Sequence, residues 1–349
     1  MHEFKQFFIR LLIFCSPFLC FALGVLIVDP YNYTGVSRFI TDASKKSGFN
    51  RDPALMPFGY TLWNMIQFRR QPSANVLIGD SRVATLNVDY LRKITGQQYY
   101  NFGIPGGDCR SICDTFWYVA RYTELKRVYI GISFHTYNDW SNRKVFTAPR
   151  GILNNPLRYF TDRNVLKTAC NILRGLTTPK PLPANRDQFR AKKGKELPPQ
   201  SGADNDHKNE TWSIVLQGLA GEYQRWQYPE STYAELKRIS EYCRSKQISL
   251  VFVVFPTSIE QQSLIIQAGL ADSFSRFKQD IAGLGAVYDF DYPNEITIHR
   301  ENFVDPMHLT APILERIMNE VWGSTQSNQP PLSVTSPPLA AVDSRSRRN

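Results

Sequence analysis

Residues 249–256 read SLVFVVFP, an apolar run that stops at Pro256. β-branched and aromatic residues dominate the run and no polar residue alternates with them, so it predicts a strand that is covered on both faces. Strands of this kind belong to parallel sheets that carry helices on each side. This stretch therefore predicts an α/β fold.

An alternation of strands and helices extends this prediction to both sides of the run. Together with Ser249–Phe255, four shorter runs are predicted as strands: Asn75–Ile78, Gln98–Phe102, Arg127–Phe134 and Ala286–Asp289. Helices are predicted between and after them at Asp108–Tyr122, Thr232–Ser245, Ile259–Leu284 and Thr310–Trp322. This order predicts a three-layer domain with a mainly parallel five-stranded sheet.

Changes in composition predict where the parts of the chain begin and end. The predicted parts are a cytoplasmic N-terminus with a transmembrane anchor (1–28), a connector with some helix (29–73), the α/β domain (74–322) with an insertion (140–230), and a disordered tail (323–349). Within the insertion, Asn155–Phe160 is expected to pack as an insertion or lid. Thr177–Asn209 is rich in proline and charge and is expected to be a mobile loop.

The N-terminal segment has the length and composition of a membrane anchor. No residue from Leu11 to Val28 is charged, and a helix over Phe7–Val28 would be about 33 Å long at ~1.5 Å per residue. Lys5 and Arg10 lie at its start, so the positive-inside rule places the N-terminus in the cytoplasm. The predicted location is the cytoplasmic (inner) membrane, crossed once, with the domain in the periplasm or outside the cell.

A cleaved signal peptide is the alternative for this segment. Cys20-Phe21-Ala22 offers small residues near a possible cleavage point. Apolar residues continue well past that point to Val28, and this favours an uncleaved anchor.

Charge and cysteine content exclude several other classes of protein. The formal net charge is +10, but the chain has no zinc finger, RNP sequence or long basic helix, so a nucleic-acid partner is not expected. Six cysteines without a C-x-x-C pair provide no zinc or redox motif, and Asp305, His308 and His299 lack the spacing of a metal site. Neither a metal nor another cofactor is therefore expected.

A serine follows the first predicted strand, in Gly79-Asp80-Ser81-Arg82. Ligands of open parallel sheets bind at the carboxyl ends of the strands, so Ser81 is a candidate nucleophile whose own N–H can face a developing oxyanion. A serine hydroxyl needs a neighbouring base to react. All three residues of Gly79-Asp80-Ser81 also form turns, and a plain turn is the alternative interpretation of this motif alone.

The candidate base lies near the end of the domain, in Asp305-Pro306-Met307-His308. An aspartate three residues before a histidine can fold back in a turn and accept the imidazole N–H. The other ring nitrogen can then accept the serine proton, as in a Ser-His-Asp triad. We therefore expect Asp305 to orient His308, and His308 to act as general base.

Two further segments end strands on the same expected edge. Asn101–Gly107 is a glycine-rich loop whose backbone N–H groups could approach a substrate. His135–Asp139 follows the third strand, and the amide of Asn138 could be another oxyanion donor. A plain turn is an equally good interpretation of Asn138-Asp139 alone.

In this order the four segments resemble the conserved blocks of the SGNH (GDSL-type) hydrolase superfamily over about Asn75–Trp322. Gly79-Asp80-Ser81 is similar to block I, and Asp305-x-x-His308 is similar to block V. The block II glycine would be Gly106 or Gly107. Asn138-Asp139 looks like block III, although the glycine that usually precedes it is missing. The resemblance implies an SGNH-like (flavodoxin-like) domain with an oxyanion hole formed by Ser81, one of these glycines and Asn138.

Arg82 replaces the leucine of the lipase form, and we expect Arg82 to contact substrate. With the N-terminal anchor, the chain looks closer to the envelope acyl-transfer branch, similar to proteins of alginate O-acetylation and teichoic acid D-alanylation. The resemblance implies an O-acyl (acetyl) transferase or an esterase, an envelope polysaccharide as substrate, and a membrane-bound O-acyltransferase as the supplier of the acyl group. The alternative is a catalytically idle module that binds polysaccharide or scaffolds a membrane acylation complex.

Overall fold

The computed structural model describes residues 2–37, 39–141, 144–177 and 202–323 of the chain. Its centre is a five-stranded sheet in which every neighbouring pair of strands is parallel. The strands are β1 (Asn75–Gly79), β2 (Tyr100–Gly103), β3 (Arg127–Ile132), β4 (Ser249–Val254) and β5 (Ala286–Asp289). Their order across the sheet is β2-β1-β3-β4-β5. The predicted α/β fold with a five-stranded parallel sheet is confirmed.

Helices precede, connect and follow the strands. In chain order they are α1 (His2–Val28), α2 (Asp42–Asn50), α3 (Met56–Arg70), α4 (Ser81–Ala84), α5 (Val88–Thr95), α6 (Cys109–Tyr122), α7 (Thr147–Asn154), α8 (Leu157–Thr161), α9 (Arg163–Thr177), α10 (Gly202–Tyr223), α11 (Glu230–Ser245), α12 (Ile259–Gln267), α13 (Ala271–Ala282) and α14 (Ala311–Met318). A short antiparallel hairpin of β6 (Phe303–Asp305) and β7 (His308–Leu309) precedes α14.

Both faces of the sheet are covered, which explains why β4 is apolar throughout. Leu77 and Val253 belong to one buried cluster with Trp322, which follows α14. Strand residues that alternate with these, such as Val76 and Ile130, have no exposed surface either. Continuous burial of this kind is typical of parallel sheets between helices.

The chain forms two compact units, of which one holds the sheet. The sheet unit comprises residues 72–144 and 189–349, and the other unit comprises residues 1–71 and 145–188. In the latter, Tyr31 and Phe49 are fully buried and their rings stack. Tyr159 of α8 donates a hydrogen bond from its hydroxyl to Oδ1 of Asp29 at 2.9 Å. The predicted connector and the segment Asn155–Phe160 therefore share a core, a grouping that the sequence analysis did not predict.

The structure differs from the predicted helices and loops at two places. The predicted helix Ile259–Leu284 is divided into α12 and α13, and Gly269 between them has a φ of +73°, which a helix cannot accommodate. The predicted mobile loop Thr177–Asn209 overlaps α10 (Gly202–Tyr223), a stretch without proline that is compatible with a helix. Residues 178–201 of that loop and 324–349 of the predicted tail lie outside the described residues.

The N-terminal helix α1 is bent. By length and hydropathy, no single helix among the described residues qualifies as a membrane span, whereas Phe4–Ser16 and Cys20–Val28, at 41° to each other, do so as a pair. Pro17 falls in the break between them, and a proline inside a helix removes one backbone hydrogen bond. The transmembrane anchor stays a prediction.

Candidate active site

Ser81 lies at the carboxyl end of β1, where the strand turns into the short helix α4. Asp80 begins this turn, and its side chain accepts a hydrogen bond from the N–H of Arg82 at 2.9 Å. Ser81 therefore occupies the first helical position, where an N–H has no partner within its own helix. Within the described residues this N–H forms no hydrogen bond, so it can bind a negatively charged oxygen.

Three glycines allow α4 to lie close to the sheet. A Cβ atom at Gly79 or Gly131 would overlap the side chain of Val83, and one at Gly103 would overlap the backbone of Ala84. These glycines belong to β1, β3 and β2, so the helix that begins with the candidate nucleophile packs directly on three strands.

The hairpin of β6 and β7 brings Asp305 and His308 together. The Asp305 carboxylate accepts hydrogen bonds from the N–H groups of Met307 (2.9 Å) and His308 (3.0 Å), and its two oxygens lie 2.9 and 2.8 Å from Nδ1 of His308. Ser258, which follows β4, donates its N–H to the carbonyl of Pro306 at 2.9 Å. The turn is therefore fixed internally and also tied to the edge of the sheet.

The other ring nitrogen of His308 reaches the serine. Its Nε2 lies 2.7 Å from Oγ of Ser81, across 227 positions of the chain. An ionised Asp305 can only accept hydrogen bonds, so Nδ1 of His308 carries the proton and donates to it. Nε2 is then left to accept the hydrogen bond that the serine hydroxyl donates. Ser81, His308 and Asp305 thus form a continuous chain of hydrogen bonds, which is the arrangement that the sequence analysis expected.

The electrostatics keep Asp305 ionised. Burial raises the pKa of its carboxyl group, but the charge of His308 and the hydrogen bonds from His308 and Met307 together outweigh burial and hold the pKa below its ordinary value. An ionised Asp305 stabilises the imidazolium that forms when His308 takes a proton.

Asn138 lies beyond the end of β3 with its amide group in a defined orientation. Its Oδ1 accepts hydrogen bonds from the N–H groups of Trp140 (3.1 Å) and Gln227 (3.0 Å). The Nδ2 atom is buried and has no hydrogen-bond partner among the described residues. An unpaired buried donor costs about 1–3 kcal/mol, so an acceptor atom of a ligand would stabilise this amide.

The two candidate glycines differ in what their N–H groups can do. Gly107 donates its N–H to the carbonyl of Ile104 at 2.8 Å, so this group is already used in a turn. Gly106 has a φ of +73°, and its N–H forms no hydrogen bond within the described part of the chain. Of the two, Gly106 is the one that can donate to an oxyanion, and its positive φ explains why a glycine stands there.

Backbone hydrogen bonds join the loops that carry these groups. The N–H of Ile104 donates to the carbonyl of Gly79 at 2.9 Å, and the N–H of Cys109 donates to the carbonyl of Thr136 at 3.3 Å. The loops after β1, β2 and β3 are therefore neighbours at one edge of the sheet, as expected for the carboxyl ends of parallel strands.

Arg82 lies inside the protein rather than on its surface. Only 4% of its side chain is exposed, and its guanidinium group donates to both carboxylate oxygens of Asp80. Burial raises the pKa of Asp80, but the charge and hydrogen bonds of Arg82 outweigh it and hold that pKa below its ordinary value. Arg82 therefore supports the turn before Ser81, and Nη1, which has no partner among the described residues, is the atom through which the predicted substrate contact would have to be made.

Sequence reasoning missed the groups that hold the site together. Gly131 sits in the middle of a predicted central strand, and a glycine there is a signal of close approach by another element. The carbonyl of Thr136 and the N–H of Ser258 are backbone groups, and no side-chain pattern in the sequence marks them.

The described groups can perform nucleophilic acyl transfer: a hydroxyl is paired with a base, the base is oriented by a carboxylate, and unpaired N–H donors lie on neighbouring loops. Nothing in this set requires a metal ion, because the nucleophile is activated by the imidazole. No protein-family model matches the chain, and no curated protein matches it.

Proposed function

We propose that the protein is an extracytoplasmic, serine-dependent O-acyl (acetyl) transferase or esterase that acts on a cell-envelope polysaccharide through an acyl-enzyme. The observation that carries the proposal is the hydrogen-bond chain from Ser81 Oγ through His308 to Asp305. A half-buried serine-imidazole-carboxylate chain at the carboxyl edge of a parallel sheet has a direct chemical use, whereas a structural role would not need this order of groups.

In the first half of the reaction, His308 Nε2 takes the hydroxyl proton as Ser81 Oγ attacks the ester carbonyl of the donor. The negative charge that develops on the carbonyl oxygen is stabilised by the N–H groups of Ser81 and Gly106 and by Nδ2 of Asn138. The tetrahedral intermediate collapses when His308 returns the proton to the leaving alcohol. The acyl group is then bound to Ser81 as an ester.

In the second half, His308 deprotonates the incoming acceptor, which attacks the acyl-Ser81 ester. His308 then returns this proton to Oγ of Ser81 as the ester bond breaks, and the serine is released. A sugar hydroxyl as acceptor gives transfer, and water gives hydrolysis. We favour transfer, because an N-terminal anchor would keep the site near a donor that a membrane-bound O-acyltransferase delivers. The apolar α1 supports such an anchor, and the resemblance of the four segments to the SGNH superfamily supports the acyl chemistry.

The proposal is tested by covalent labelling of Ser81 together with a cellular measurement. A small fluorophosphonate should label the wild type in isolated membranes, and Ser81→Ala and His308→Ala should both abolish labelling. Ser275→Ala removes the hydroxyl of a helical serine that bonds its own helix, and this matched control should label normally. In cells, Ser81→Ala should remove the base-labile acyl groups of the envelope polysaccharide.

One result would contradict the proposed enzyme activity and favour the alternative function as a scaffold. If Ser81→Ala cells keep their full content of polysaccharide O-acyl groups while the variant is folded and in the membrane, the serine performs no transfer. The idle module that binds polysaccharide or scaffolds a membrane complex then becomes the explanation.

A further inference from the structure

A single large aromatic side chain is exposed close to the candidate oxyanion donors. Trp140 follows Asn138 by two residues and has 42% of its surface exposed. It is the one exposed tryptophan or phenylalanine among the described residues of the sheet unit, whose other such side chains are buried or half-buried. The exposed indole lies on the same loop as the candidate oxyanion donor Asn138, so its surface is available to a ligand of that site.

Arg225 lies over the face of this indole. Its Cζ atom is 4.0 Å from the ring centroid of Trp140, and its Nε donates to the carbonyl of Gly221 at 3.0 Å. These two contacts hold the guanidinium group beside the ring. The terminal nitrogens Nη1 and Nη2 form no hydrogen bond with the described residues, so within this part of the chain both can donate to a ligand.

The same backbone contacts that orient Asn138 also hold this pair in place. Asp139 donates its N–H to the carbonyl of Gln227 at 3.0 Å, and Gln227 donates its N–H to Oδ1 of Asn138 at 3.0 Å. The segment around Arg225 is therefore attached directly to the loop that carries Trp140. A rigid attachment of this kind keeps the aromatic surface and the oxyanion donor at a constant separation.

Strand order places this pair at the rim of the site. β3 is the direct neighbour of β1, and adjacent strands lie about 4.8 Å apart. Ser81 follows β1, whereas Asn138 and Trp140 follow β3 on the same edge. A molecule that rests on the indole would consequently lie at the same edge of the sheet as the acyl group on the serine.

We propose that Trp140 and Arg225 form the acceptor subsite for one pyranose ring of the polysaccharide. The inference rests on the proposed function. The C–H face of the sugar stacks on the exposed indole, and Nη1 and Nη2 of Arg225 donate to ring substituents, as hydroxyl or carboxylate oxygens accept such paired donors. The subsite directs a sugar hydroxyl, rather than water, toward the acyl-Ser81 ester.

The test separates the acceptor step from the formation of the acyl-enzyme. Cells that produce Trp140→Ala should contain at least fivefold fewer base-labile O-acyl groups on their envelope polysaccharide. In membranes from the same cells, a small fluorophosphonate should label Ser81 at a rate within about twofold of the wild type. Trp140→Phe should restore most of the acyl content, and Arg225→Gln should lower it with labelling intact.

The matched control is Ile266→Ala, which removes an exposed apolar side chain elsewhere in the sheet unit and should change neither measurement. The subsite is disproved if Trp140→Ala leaves the acyl content unchanged, or if labelling falls in parallel with it, since the residue would then only support the fold. Failure of the proposed function gives a different result. Cells with Ser81→Ala would then keep the O-acyl groups of their polysaccharide, regardless of the effect of the Trp140 variants.

Discussion

Gly103 of β2 lies so close to Ala84 of α4 that a Cβ atom at the glycine would overlap the backbone nitrogen and Cα of the alanine. The helix that begins with Ser81 therefore rests directly on the backbone of the neighbouring strand. Backbone atoms cannot rotate away as a side chain can, so any added atom must move the helix.

We expect Gly103→Ala to destabilise the protein and to displace the nucleophile. Overpacking of a rigid site costs about 1–3 kcal/mol of unfolding free energy, measured by denaturant titration. Labelling of Ser81 should fall by more than the loss of folded protein explains. Gly218→Ala is the matched control, because nothing lies within 4 Å of its added Cβ in α10; it should be neutral or slightly stabilising.

Asn138→Asp tests the proposed oxyanion donor, because it removes the Nδ2 donor while the rest of the side chain keeps its shape. The substitution keeps an oxygen that can accept from Trp140 and Gln227, but it replaces the Nδ2 donor by a second, negatively charged acceptor. The rate of hydrolysis of a small activated ester should fall about 10²–10³-fold, the usual effect of losing one such donor.

Asn87→Asp is the control for the substitution of an amide by a carboxylate. Its Oδ1 accepts from the N–H groups of Asp89 and Tyr90 at the start of α5, so the same change occurs at a helix cap. Ester hydrolysis should stay near the wild-type rate. An Asn138→Asp variant with full activity would remove this residue from the oxyanion site.

The buried pair of Asp80 and Arg82 makes a prediction about stability. Arg82→Met leaves the Asp80 carboxylate buried without its partner, and breaking a buried ion pair in this way costs about 3–5 kcal/mol. In the double variant Asp80→Asn/Arg82→Met no charge is left uncompensated, so much of the loss should be recovered. A double-mutant cycle by urea unfolding measures this coupling, and simple additivity of the two single losses would contradict it.

Asp305 predicts a specific dependence of stability on pH. Its pKa is held below the ordinary value in the folded protein, so the ionised carboxylate contributes stability above the unfolded-state pKa of about 4, and this contribution is lost as the pH falls through the lowered folded value. The difference in unfolding free energy between the wild type and Asp305→Asn should accordingly be largest near neutral pH and shrink in acid.

The partner of Asp305 provides the control for the pH effect. In a His308→Ala background, the imidazole that helps to hold the pKa down is absent, so the same Asp305→Asn comparison should depend less on pH. An equal dependence in both backgrounds would mean that His308 does not cause the shift.

The centre of the sheet could be predicted from the sequence because its strands are buried on both faces. Ser249–Phe255 is apolar enough to be recognised without knowing its neighbours, since most of β4 is buried. The edge strand at Ala286–Asp289 is exposed or half-buried, and its sequence signal is correspondingly weaker. The break at Gly269 within the predicted helix Ile259–Leu284 was missed, since a single glycine is tolerated in many helices.

The triad could be predicted because its members are side chains with specific chemistry at the ends of recognisable strands. The sequence does not predict which backbone N–H groups and polar side chains stay available to a ligand after folding. Whether Gly106 or Gly107 has an unused N–H depends on one turn hydrogen bond to Ile104, and the burial of Arg82 depends on its pairing with Asp80. Both are properties of the folded backbone, and residue types do not encode them locally.

The hydrogen bond between Ser81 and His308 joins positions 227 residues apart, and this affects when the protein can become active. This contact can form only after both segments have been synthesised, and closing so long a loop costs conformational entropy. During synthesis Ser81 emerges long before His308. A nascent or truncated chain that ends before the β6-β7 hairpin therefore lacks the imidazole that bonds to Ser81, and under the proposed function its serine would have no base.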